Sequence, residues 1–113
     1  MWLFTQFGFF SIVRKKAGEF HVRARIKQDL ENLVRHVELA SPIIVTKQAD
    51  YRYRIVTDAD SISRIMRVLA ERIDYDNFKG RIGKLPDQRG KSDALHRIWE
   101  IMEALQEEPD RAR

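Results

Sequence analysis

Between Phe20 and Lys27 apolar and polar residues alternate without a break: Phe20, Val22, Ala24 and Ile26 fall on one side, and His21, Arg23, Arg25 and Lys27 on the other. A period of two predicts a half-buried strand. The same period returns over Tyr51 to Thr57, with Tyr51, Tyr53 and Ile55 on one face and Arg52, Arg54 and Val56 on the opposite one. The opening run, Met1 to Val13, is almost uncharged and rich in aromatic and β-branched residues, and Gly8 interrupts it. It predicts a strand, a kink and a continued strand. Ala17-Gly18-Glu19 can turn the chain, so residues 9 to 26 read as an antiparallel hairpin. Ile43 to Thr46 is a short β-branched run and the expected hairpin partner of residues 51 to 57.

Helical spacing takes over elsewhere. Ile26, Leu30, Leu33, Val34 and Val37 predict a helix over about 27 to 39, which Ser41-Pro42 stops because the residue before a proline is pushed out of helical geometry. Thr57-Asp58-Ala59-Asp60-Ser61 offers cap oxygens and first-turn acids ahead of Ile62, Ile65, Met66, Leu69, Ala70 and Ile73, a second helix. Residues 74 to 91 hold three of the five glycines, together with Pro86 and the cations Lys79, Arg81, Lys84, Arg89 and Lys91. Glycine disfavours helix there, so a basic, mobile loop is expected over about 79 to 91. Ser92 can cap a last helix, about 92 to 106, with the stripe Leu95, Ile98, Trp99, Met102 and Leu105, and a fraying polar tail follows. That stripe is expected to pack within its own chain, beside the second helix.

The order of elements predicts a single α+β domain over residues 1 to 113: an antiparallel sheet of about four strands with helices on one face, ferredoxin-like or a variant of it. A length of 113 residues and 43% hydrophobic content fit one folded domain. With 0 cysteines there is no disulfide framework, thiol nucleophile or cysteine-ligated metal, and the chain suits a reducing cytosol. No basic residue precedes the apolar run, Arg14, Lys15 and Lys16 follow it, and it falls short of the roughly 20 residues that span a bilayer. A cytoplasmic protein without a membrane segment is the expectation.

Two stretches are distinctive, Phe-Thr-x-x-Gly-Phe-Phe-Ser within MWLFTQFGFFSIV and Tyr-Asp-Asn-Phe-Lys within IDYDNFK at 73 to 79. Together with YRYRIV at 51 to 56 and the late Trp99 and Met102, they give a chain that resembles a family of short bacterial proteins to which no activity is assigned. The resemblance implies a single bacterial cytosolic domain and carries no catalytic residue onto this sequence.

Chemistry is concentrated on one surface. If helices cover the face of Phe20, Val22, Ala24, Tyr53 and Ile55, the opposite face displays His21, Arg23, Arg25, Arg52 and Arg54. Same-face neighbours lie roughly 7 Å apart along a strand and about 5 Å apart across strands, so these guanidiniums would repel one another unless an anion lay over them. Arginine suits phosphate because its planar fork donates two hydrogen bonds at once. The expected function is binding of RNA or another polyanion, with Lys79, Arg81 and Lys84 assisting, and with one of Phe9 and Phe10 facing the core and the other the open side. Two alternatives remain: a structural or regulatory domain that forms a homodimer through the same face, or a small metal-independent nuclease or hydrolase centred on His21. Acids such as Glu19 and Asp50 lying over the arginines would make the face an ordinary ion-paired surface. Asp74, Asp76 and Asn77 lack the spacing of a calcium loop, His21, His36 and His96 stand on three separate elements, and no phosphate-binding or nucleophile motif occurs. No metal or cofactor is expected, and no catalytic residue is assigned.

Overall fold

A computed structural model describes residues 1 to 106, and within it the chain divides into two compact units, residues 1 to 74 and residue 75 onward. Of the tail expected to fray, Gln106 to Arg113, residues 107 to 113 lie outside the described residues.

The first unit contains β1 (Trp2–Thr5), β2 (Gly8–Lys16), β3 (Glu19–Ala24), α1 (Lys27–Val37), β4 (Ile44–Val45), β5 (Tyr53–Thr57) and α2 (Ala59–Glu71). The strands form one sheet in the order β1-β2-β3-β5-β4 with every neighbouring pair antiparallel. The fold is α+β, as the element order predicts. Four of its strands, β2-β3-β5-β4, with α1 between β3 and β4 in sequence and α2 after β5, give a ferredoxin-like variant in which a strand preceding the β-α-β-β-α run supplies the edge. Apolar residues of alternating β positions (Phe10, Ile12, Val22, Ala24, Ile55) and of helical spacing (Leu30, Leu33, Val37, Ile65) join in one core on one side of the sheet. Each large side chain buried there contributes about 1.5–3 kcal/mol.

The sheet has five strands rather than about four because the apolar opening is a hairpin and not one kinked strand. The Thr5 hydroxyl oxygen accepts from the amides of Phe7 (3.1 Å) and Gly8 (3.2 Å) and donates to the Gly8 carbonyl (2.8 Å), closing the turn between β1 and β2. Two buried polar groups of α1 brace it: an Asp29 carboxylate oxygen accepts from the Phe9 amide (3.1 Å), and the Asn32 side-chain amide donates to the Phe7 carbonyl (2.9 Å). Gly8 has φ +151°, and a Cβ there would stand 2.3 Å from the Asp29 Cβ, so this approach of helix to hairpin needs glycine. Ile26, expected with the inward set, lies beyond β3 and is exposed.

Asp58 caps α2, accepting from the Ser61 amide at 2.8 Å. That bond, reinforced by the Ser61 hydroxyl, holds the Asp58 carboxyl below its ordinary value.

The second unit contains α3 (Phe78–Lys84), a 3-10 turn (Arg89–Lys91) and α4 (Ser92–Ala104). The basic loop expected over 79 to 91 is therefore structured. Gly80 and Gly83 each cost about 1 kcal/mol in a helix, but Asn77 caps α3 by accepting from the Gly80 amide (2.9 Å) and Ile82 buries its side chain. Ser92 does not cap α4; its hydroxyl donates to the Arg89 carbonyl (2.8 Å). Nor is the α4 stripe buried: Leu95 and Ile98 are half-buried, while Trp99 is 49% exposed and Met102 59%.

Candidate functional site

The open side of the sheet is assembled by strand register. Trp2 of β1 faces Ser11 of β2, Ser11 faces Arg23 of β3, Arg23 faces Arg54 of β5, and Arg54 faces Ile44 of β4. One transverse row therefore runs across all five strands, with Trp2 about 10 Å from Arg23 at two strand spacings. A parallel row places Val13, His21 and Val56 side by side, and another pairs Phe4 with Phe9. Phe10, the neighbour of Phe9, points into the core.

Arg23 and Arg54 stand directly opposite one another, the close juxtaposition of like charges that the alternation predicts. Arg23 donates from Nη2 to the Ser11 hydroxyl (2.7 Å), while its Nε is closed off from solvent and has no hydrogen-bond partner among the described residues. Arg54 donates from Nη1 to His21 Nδ1 (3.1 Å), and His21 Nε2 lies 3.2 Å from a Glu19 carboxylate oxygen. A guanidinium can only donate, so Nδ1 is the acceptor and the proton of His21 sits on Nε2, directed at Glu19. Both ring nitrogens are thus engaged. Glu19 also lies 3.7 Å from the Lys16 ammonium, and Arg25 lies 4.0 Å from Asp50 in an exposed pair. The two acids that could cover the face reach its rim, at Lys16, His21 and Arg25. Among the described residues no carboxylate is within 4.0 Å of Arg23, Arg52 or Arg54.

Tyr51 departs from the expected alternation. It precedes the first ladder residue of β5, and instead of joining Tyr53 and Ile55 on the covered face it lies on the open side, 4% exposed. The guanidinium carbons of Arg23 and Arg25 lie 4.6 Å and 4.5 Å from its ring centre. Phe9, 6.4 Å from Tyr51, stacks on Phe4 at 4.6 Å and meets Trp2 edge to face at 5.7 Å and 87°. An aromatic cluster of four rings therefore borders the arginines. Alternation alone marks only one of Phe9 and Phe10 for this side; Trp2 and Phe4 are placed there by the register of the first hairpin, and Tyr51 by the start of the β5 ladder two residues later.

Of the other expected site residues, Arg52 is exposed and outside the ladder, and no described contact ties it to Arg23, Arg25 or Arg54. Lys79, Arg81 and Lys84 belong to α3 of the second unit. There Lys79 lies 4.6 Å from the Trp99 ring centre and 3.3 Å from His96 Nδ1, Arg81 lies 5.0 Å from the Tyr75 ring centre, and Lys84 is exposed in the last turn. No group of three or more metal-ligating side chains occurs among the described residues, and Asn77 serves as the α3 cap. No helix among them is long and apolar enough to cross a membrane. No family model, curated protein or solved structure matches this chain.

Proposed function

We propose that this protein binds RNA or another polyanion through the open face of its sheet, with Arg23, Arg54 and Arg25 as the principal contacts. The observation that carries this reading is the facing pair Arg23 and Arg54, held on adjacent strands with no carboxylate within reach among the described residues. Like charges placed opposite one another destabilise a sheet, and a buried donor without a partner, the Arg23 Nε, adds to that cost. A phosphate group over the row offsets the opposition of like charges by supplying negative charge and acceptor oxygens. Stacking on Tyr51 holds the Arg23 and Arg25 guanidiniums in place before any ligand arrives. The engagement of both nitrogens of His21 favours binding over acid–base chemistry at this residue. A cytosolic setting in a bacterium is part of the same proposal and rests on the sequence resemblance and the absence of cysteine.

The test is a filter-binding titration with single-stranded RNA at fixed salt. The variant carrying Arg23→Ala and Arg54→Ala should bind at least tenfold more weakly than the wild type, and three phosphate contacts predict a log–log salt slope of about −2, from −0.7 per phosphate. Unchanged affinity in the double variant, or a slope near zero, removes this surface as the site.

A further inference from the structure

Resting on the polyanion reading of the same face, we infer that its ligand is a single-stranded nucleic acid, with the Trp2 indole as a platform for an unstacked base and the arginines as contacts for its phosphates. Charge alone does not distinguish a nucleic acid from any other polyanion; the aromatic residues beside the charge do. Trp2 is 65% exposed, an unusual setting for the largest apolar side chain, yet it is not loose. Its strand is pinned by two hydrogen bonds between Met1 and Ile12, each 2.8 Å, and its ring is held edge to face on Phe9. Phe9 is in turn stacked on Phe4, so Trp2 is oriented by a packed support while most of its surface meets water.

Register places this ring in the same transverse row as Ser11, Arg23 and Arg54. A ligand that alternates flat apolar rings with anionic groups matches that row, with an indole at one end and two guanidiniums about 10 and 14 Å along it. Bases in a duplex are already stacked on one another and offer no free ring face to a tryptophan on a sheet. A single strand does.

Trp2 and Trp99 are the two tryptophans of the chain, so Trp99→Phe makes Trp2 the sole indole fluorophore and leaves the sheet untouched. This variant is titrated with a twelve-nucleotide oligouridylate, with a duplex RNA of equal length and with inorganic polyphosphate, and the affinities are measured again by isothermal titration calorimetry with and without Trp2→Leu added, since the combined variant has no indole. Oligouridylate should quench Trp2 emission and bind more tightly than the duplex. Trp2→Leu keeps apolar bulk without a π-face and should weaken oligouridylate about tenfold or more, leaving polyphosphate unchanged. Circular dichroism on the Trp2→Leu protein establishes that the sheet is intact, and Trp2→Phe should restore most of the lost affinity. If polyphosphate binds but oligouridylate neither quenches Trp2 nor responds to Trp2→Leu, or if the duplex binds as tightly, the stacking inference falls and the polyanion reading stands. If none of the three ligands binds, the polyanion reading itself falls.

Discussion

Gly8 and Asp29 show how one backbone position can decide a surface. The carboxylate of Asp29, 1% exposed, reaches the Phe9 amide only because Gly8 leaves room, and Phe9 in turn supports Trp2 on the opposite side of the sheet. A methyl group at position 8 would overlap the Asp29 side chain and would have to adopt a left-handed φ, so neither partner can yield cheaply. Gly8→Ala should therefore destabilise the fold by about 2 kcal/mol or more, measured by urea unfolding, whereas Gly18→Ala, with open space around it, should cost less. Equal losses at the two positions would mean that the Asp29 contact does not constrain the hairpin. Tyr51 is the other decisive residue: buried between two arginines, it converts flexible cations into fixed ones.

At the level of elements, caps do much of the specifying. The Asp58 carboxylate has a pKa lowered chiefly by the Ser61 amide it accepts from, so it favours the folded state in its charged form. A depressed folded-state pKa gives stability that is present above the ordinary carboxyl value of 3.8 and is lost as pH falls through the folded value. Asp58→Ala should lower the melting temperature at pH 7, and the gap to the wild type should narrow as pH is brought below about 3.8. A gap that is constant with pH would show that the charge of Asp58 contributes nothing to α2. Asn77 plays the corresponding part at α3, where a cap and one buried isoleucine suffice to order a glycine-containing segment.

For the molecule as a whole, residues 1 to 74 form a compact unit containing the sheet, α1, α2 and the entire arginine and aromatic surface. Its hydrophobic core cluster, from Phe7 to Ile65, draws only on residues of this unit. A protein truncated after Asp74 should unfold cooperatively in urea and keep its affinity for single-stranded RNA within a few-fold. A non-cooperative melt of the fragment would place part of the folding free energy beyond residue 74. Binding that disappears while the fold survives would bring the α3 cations Lys79, Arg81 and Lys84 into the interface.

Periodicity settled a good deal of this in advance. The strict alternation from Phe20 to Ala24 and from Tyr53 to Val56 determined which side of each strand is apolar, because successive side chains must point to opposite faces. The helices over 27–37 and 59–71 followed equally from a 3.6-residue repeat, the second beginning at an aspartate cap, although the first ends at Glu38, left-handed at φ +58°, ahead of the Ser-Pro expected to stop it. Local pattern carries no information about partners, however. That Arg23 meets Arg54, and that Trp2 shares their row, depends on the register of strands distant in sequence. Tyr51 left the alternation because the ladder begins two residues later, a boundary set by pairing with β3 and β4 rather than by residue type. The opening run became a hairpin because Asp29 and Asn32, some twenty residues on, supply hydrogen-bond partners for its turn. Residues 79 to 84 became helical because one cap and one buried side chain outweighed two glycines, a balance of tertiary packing against local preference that the sequence alone does not disclose.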